Sequence, residues 1–206
     1  WLLAHVWSQL LHNHVPIDFI AGLETMSPDS SYDDPRVIEA AARFASWCDA
    51  GYFNEGFLAT SYQEANDLFI NREVAMNIGG SWAAINFESA EFPARFFPTP
   101  QLNPELPWHA GGQAPSDNLT ITIYAEHPEW GIELIDYLLS EENATEFFSE
   151  GMLVTYQFDE APEPNTQLQQ DMYDSFSLRG PCYYMGVVNA EVNRTIFAQL
   201  QELCGG

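Results

Sequence analysis

The stretch from Tyr62 to Trp82, YQEANDLFINREVAMNIGGSW, confines the chain more than any other. Ser61 followed by Glu64 is a capping-box pattern, in which each side chain satisfies a free backbone N–H at a helix start. The helix so opened carries Ala65, Leu68 and Phe69 on one face. From Glu73 to Ile78 the pattern changes to alternation, with Val74, Met76 and Ile78 on one side, which predicts a short strand. Gly79-Gly80 frees the backbone to turn, and Ser81 can N-cap a second helix through Trp82, Ala83, Ala84 and Ile85. A strand that runs into a glycine turn and a helix start presents free N–H groups, with Trp82 beside them, at the C-terminal edge of a sheet. Ligands of open α/β sheets settle at such edges.

Helical spacing recurs along the chain. Trp1 to Asn13 sets Leu2, Leu3, Val6, Trp7, Leu10 and Leu11 on a helix, and Val15 to Ser31 reads as loop with a short strand at Ile17 to Ile20. Asp34-Pro35 opens the clearest helix: Asp34 is an N-cap, Pro35 suits the first turn, and Gly51 lies past the end. Val37, Ala41, Phe44 and Cys48 form its apolar face. Residues 101–118 read as a Pro- and Gly-rich loop, and Leu119 to Tyr124 as an alternating strand. His127-Pro128-Glu129 and Ser140 open two further helices. Gln167 to Phe176 is helical, and Val188, Val192, Ile196, Leu200 and Leu203 mark a last amphipathic helix.

The charge is lopsided, with 30 Asp and Glu against six basic residues, all Arg, for a net charge of -24. Phosphate backbones and anionic lipid surfaces are held through Lys and Arg, so neither nucleic acid nor a basic-patch membrane contact is expected. No run of eighteen apolar residues predicts a membrane span or direct insertion. With 46% hydrophobic and 14% aromatic residues the chain has the material for a packed core. Cys48, Cys182 and Cys204 cannot all pair with one another; free thiols are the expectation and a single disulfide the alternative. His12 and His14 could meet a metal but read better as polar helix-end residues, and Asp29, Asp33 and Asp34 lack the spacing of a calcium loop. No metal site, cofactor or catalytic motif is expected.

The ordered set Ala65, Phe69, Ala75, Met76, Gly80 and Trp82 resembles the pattern F-x-x-G-x-x-A-M-x-x-x-G-x-W of extracytoplasmic solute-binding proteins of ABC importers, specifically the carbohydrate-binding family that includes maltose-binding proteins. Arg72 stands where that pattern commonly has Gly. The helix from Asp34, the "ARFFPTP" segment, Gly111-Gly112 and the strand–"HPE" helix–"SEEN" helix succession are similar to the same family. The resemblance implies an α/β, two-lobed periplasmic-binding-protein-like fold of type II, with most of the N-terminal lobe missing from this chain. Residues 1–117 and 158–206 would form the C-terminal ligand-binding lobe, and 118–157 would return to the N-terminal lobe. It implies a non-enzymatic receptor that captures a carbohydrate, an oligosaccharide by preference, outside the cytoplasm, in the periplasm or as a cell-surface lipoprotein, and delivers it to an ABC transporter permease.

A sugar stacks its C–H faces on aromatic rings and needs polar groups in fixed directions for its hydroxyls. The site residues implied are Trp82, Gly80 and Ser81, Trp7 from the first helix, Trp108, Gly111, Gly112 and Gln113 from the long loop, and Tyr183 and Tyr184. Space-filling in the core is the competing role for Trp7 and Trp82. The alternative functions are a glycoside hydrolase working through two carboxylates, and a receptor for a non-sugar solute.

Overall fold

The computed structural model describes residues 2–88, 90–107, 119–154, 156–177 and 189–205. Among these there are helices and no strand, which overturns the α/β, type II expectation. The helices are α1 (Leu2–His12), α2 (Ile17–Thr25), α3 (Pro35–Asp49), α4 (Tyr62–Ile70), a 3-10 turn (Ser81–Ala83), α5 (Ala84–Glu88), α6 (Pro128–Leu138), α7 (Glu141–Ser149), α8 (Gln167–Ser177) and α9 (Ala190–Gly205). The described residues fall into two compact units. The first draws on Trp1–Gly79, Pro98–Ala114 and Ser175–Gly206, and the second on Gly80–Phe97 and Pro115–Asp174.

The first unit packs α1 against α2, α3 and α9. Leu10, Leu11 and Trp7 of α1 meet Val37, Ala40 and Phe44 of α3 and Leu200 of α9. Phe44 is fully buried, with the rings of Trp7, Trp47 and Phe53 at 6.5, 6.3 and 6.2 Å from its own. The α3 start is as its sequence reads: Asp34 accepts from the Arg36 N–H at 2.9 Å, and Arg36 also bonds both carboxylate oxygens. Those bonds hold the Asp34 carboxyl down at about 2. The buried face is Val37, Ala40 and Phe44, while Ile38 is exposed. The predicted strand at Ile17 to Ile20 is instead the first turn of α2, where Ile20 and Leu23 reach the core one helical turn apart.

Helix α9 is held at both ends. Asn189 caps its start, its Oδ1 accepting from the N–H groups of Glu191 and Val192 at 3.1 and 3.3 Å, and its own N–H donates to the buried carboxylate of Glu24 at 2.9 Å. At the far end Cys204 is disulfide-bonded to Cys48 of α3, so the free-thiol expectation fails for that pair. The two cysteines meet because α3 and α9 pack side by side, a proximity that a sequence separation of 156 conceals.

The capping box of α4 is present, Ser61 Oγ accepting from the Glu64 N–H at 3.3 Å and the Ser61 N–H donating to Glu64 Oε2 at 2.7 Å. The strand expected at Glu73 to Ile78 is irregular chain. Met76 and Ile78, which alternation put on an inner face, are exposed, and Asn77 turns inward to donate to the Ala65 carbonyl and Asn66 Oδ1, both at 3.2 Å. Arg72 takes φ +64, a left-handed conformation that favours glycine, at the position where the resembled pattern has Gly.

In the second unit Ser140 caps α7, and Phe148 of α7 sits edge-on to Phe158 and Tyr173 at 6.2 and 6.0 Å. Gln169, fully buried on α8, donates to the Phe148 carbonyl at 2.7 Å and accepts from the Asn165 N–H at 2.8 Å. The alternating segment Leu119 to Tyr124 has no ladder partner among the described residues; Ile121 lies against α6 so closely that a Cβ on Gly131 would sit 2.9 Å from its Cδ1. No helix among the described residues is long and apolar enough to cross a membrane.

Two measurements check this account. Closing a loop of more than a hundred residues restrains the unfolded chain by on the order of 4–5 kcal/mol. Replacing Cys48 and Cys204 by Ser therefore lowers the Tm of the first unit by roughly 10 °C in calorimetry. Thiol titration of the denatured protein gives one thiol per chain before reduction and three after. At Arg72, substitution by Gly leaves the protein more stable than substitution by Ala, by about 1 kcal/mol in urea unfolding, because only Gly adopts a positive φ without strain.

Candidate functional site

The candidate site begins where the chain enters the second unit, at Gly80-Ser81-Trp82. Ser81, Trp82 and Ala83 form the 3-10 turn, closed by the Ala83 N–H donating to the Gly80 carbonyl at 3.0 Å. The Ala84 N–H donates to the Ser81 carbonyl and carries the turn into α5. Ala83 and Ala84 are buried, whereas Trp82 between them and Ser81 is 45% exposed. Ser81 thus heads a 3-10 turn instead of N-capping an α-helix, because Gly80 occupies the cap position.

Gly80 itself is extended, with φ -97, a conformation open to any residue. What excludes a side chain there is the neighbouring ring: a Cβ on Gly80 would run into the six-membered ring of Trp82. The glycine is therefore the seat of the indole, a role different from the sharp turn expected of Gly79-Gly80.

Under this turn lies a small apolar cluster. Ala84 packs with Leu168 and Met172 of α8, and Phe87, Ala94, Phe96 and Leu153 surround them. One polar group ties the cluster together. Asp171 of α8 accepts from Arg95 Nε and Nη2 at 2.6 and 2.9 Å, from the Phe96 N–H at 3.1 Å and from Gln167 Nε2 at 2.9 Å. The Arg95 guanidinium is the main reason that the Asp171 carboxyl is held below its ordinary value. Neither residue was singled out from sequence, and at a separation of 76 positions no local signal could have paired them.

The other expected site residues are distributed differently. Trp7 is 5% exposed and fills the core of the first unit against Phe44. Trp108, Gly111, Gly112, Gln113, Tyr183 and Tyr184 lie outside the described residues. Only Gly80, Ser81 and Trp82 are therefore seen together.

Elsewhere on the first unit the described residues line open depressions. One of about 410 Å³ is lined by residues that include Asn54, Thr60, Glu64, Asp67, Asn71 and Glu73, and one of about 580 Å³ by Glu39, Arg43, Trp47 and Tyr52 among others. His12 and His14 set Nδ1 against the Ser8 and Leu10 carbonyls at 2.6 and 2.9 Å, the helix-end role expected of them. No cluster of three or more His, Cys, Asp or Glu suited to a metal occurs among the described residues.

The seat of the indole is testable without any ligand. Gly80→Ala displaces the Trp82 ring, which raises the acrylamide quenching of tryptophan fluorescence. In a Trp82→Phe background the same substitution leaves quenching unchanged.

No curated protein and no solved structure matches the chain. Residues 27–145 match the family described as bacterial extracellular solute-binding protein. That span is more than half of the 206 residues and contains α3, α4 and the Gly80-Ser81-Trp82 turn. The chain therefore belongs to the bacterial extracellular solute-binding proteins.

Proposed function

We propose that this solute-binding protein captures a carbohydrate, an oligosaccharide by preference, with Trp82 as its stacking platform, and passes it to the permease of an ABC importer. Membership of the family implies an extracytoplasmic location, a small-molecule ligand and an ABC transporter as partner. The carbohydrate is the further step, and the observation that carries it is the setting of Trp82. Its indole is half exposed although the backbone on its C-terminal side is buried and a bare glycine supports the ring. A ring held in this way offers apolar area to the C–H face of a sugar with little conformational entropy left to lose on binding. Ser81, partly exposed beside it, supplies a hydroxyl that can both donate and accept.

Binding of this kind requires no bond to be made or broken. The sugar leaves as it arrived, and selectivity comes from the fit of apolar faces and hydroxyl partners.

Titration of tryptophan fluorescence with a panel of mono- and oligosaccharides tests the reading. A saturable change is expected with at least one oligosaccharide, and that sugar is recovered unchanged by chromatography. Trp82→Ala weakens its binding at least tenfold, which is about 1.4 kcal/mol. An equal affinity in Trp82→Ala would remove Trp82 from the site, and no response to any sugar would remove the carbohydrate.

A further inference from the structure

The Trp82 platform does not stand on its own helix alone. The 3-10 turn that carries it continues directly into α5, and Ala84 at the junction is 4% exposed. Ala84 is buried against Leu168 and Met172, one helical turn apart on α8, with Phe96 packed onto the same cluster. Phe96 is not part of a helix, and it follows Ala94 and Arg95 along irregular chain. Its placement needs an anchor that secondary structure does not supply. The Asp171 carboxylate is that anchor: one oxygen takes both the Phe96 N–H and Arg95 Nε, and the other takes Arg95 Nη2 and Gln167 Nε2.

The arrangement has a directional logic. Asp171 lies between Leu168 and Met172 in sequence on α8, so its helix presents the anchor and the apolar floor within a single turn. The Asp171 side chain is only 10% exposed, while that of Arg95 is 63% exposed. The carboxylate is thus nearly enclosed, and the one cation close to it among the described residues reaches it from the solvent side. A two-pronged guanidinium contact fixes direction as well as distance. Losing it would leave a carboxylate nine-tenths enclosed without its countercharge, and the segment that carries Phe96 would have to shift to admit water.

We propose that Asp171 and Arg95 are positioning residues for Trp82: by fixing Phe96 on the Ala84–Leu168–Met172 floor they set the height and tilt of the 3-10 turn on which the indole is carried. The chain of contact runs from the ion pair to Phe96, from Phe96 to the floor under Ala84, and from Ala84 to the turn that ends at Gly80. This rests on Trp82 being the ligand platform only for its importance to binding; the mechanical coupling stands or falls by itself.

The experiment is fluorine NMR of the protein labelled with 5-fluorotryptophan, without any sugar. The chain has six Trp, and the Trp82 resonance is assigned by its absence in Trp82→Phe. Arg95→Gln and Asp171→Asn are each expected to shift or broaden the Trp82 resonance and to leave that of Trp7, in the first unit, in place. Arg36→Gln, which breaks the exposed pair with Asp34 on the first unit, leaves Trp82 unmoved. In 1 M salt the wild-type Trp82 resonance moves towards that of the two variants, while theirs stays still. Should Asp171→Asn fail to fold, Arg95→Gln decides, since it replaces a largely exposed side chain. A Trp82 resonance identical in wild type and folded variants overturns the inference. So does unfolding of both variants, which would assign the pair to the stability of the whole unit. Neither result touches the carbohydrate reading, which the sugar titration decides separately.

Discussion

Burial of Phe44 is the constraint around which the first unit is assembled. Its ring is closed off by Trp7 from α1, by Trp47 from its own helix and by Phe53 just beyond it. Each of these aromatics removes a large apolar area from water, and edge-to-face geometry adds a directional preference to the burial. With Trp7 and Phe44 in place, α1 and α3 present a common groove that α9 fills with Leu200, and the Cys48–Cys204 bond then holds α9 to α3. The sequence extremes of this unit are therefore joined both by packing and by a covalent bond. An extracytoplasmic protein lies in a compartment where such a bond persists.

The helices were legible because their signals are local. Asp34-Pro35 before α3, the Ser61–Glu64 box before α4 and Ser140 before α7 each satisfy backbone donors within one turn of themselves, and all three act as read. Strand readings rest on something weaker. Alternation at Glu73 to Ile78 and at Leu119 to Tyr124 says which side chains share a face, but a strand exists only when another segment pairs with its backbone, and that partner is not written in the segment itself. At Asn77 the amide finds two acceptors in α4, and Met76 and Ile78 on either side of it are left exposed. The Gly80–Trp82 pairing was legible as residues but not as physics, since the glycine answers to a ring two positions on and not to a dihedral angle. The Asp171–Arg95 pair and the disulfide were illegible for the same reason as the strand partners, because both depend on where segments distant in sequence meet.

Scarcity of cations gives each Arg unusual weight in a chain of net charge -24. Arg36 doubles the cap of α3 and lies over the Phe19 ring at 4.8 Å, and Arg95 fastens irregular chain to α8. Acids stand at both ends of the helices, with Asp49, Asp136 and Glu202 in the last turns of α3, α6 and α9. Glu64, Glu129, Glu141, Glu142 and Glu191 stand in the first turns of their helices, where the helix dipole favours negative charge. No Lys or Arg occupies a last turn among α1 to α9, and neutral side chains bond carbonyls there instead: His12, Asn13 and His14 in α1, Thr25 in α2, Asn143 in α6 and Asn165 in α7.

Exposure alone does not separate a ligand platform from a bare surface. Ile123 and Tyr124 are 91% and 85% exposed, far more than Trp82 at 45%, yet neither is gripped by buried neighbours in the same way. A side chain free to rotate must be immobilised when it meets a ligand, and that loss is subtracted from whatever the contact gains. Trp82 precedes the buried Ala83 and Ala84 in sequence, and its ring lies against the bare Cα of Gly80. Half of its surface remains for a partner, and that half is held in one direction. Close packing against a bare glycine, beside two buried alanines, is what distinguishes this indole from the more exposed side chains.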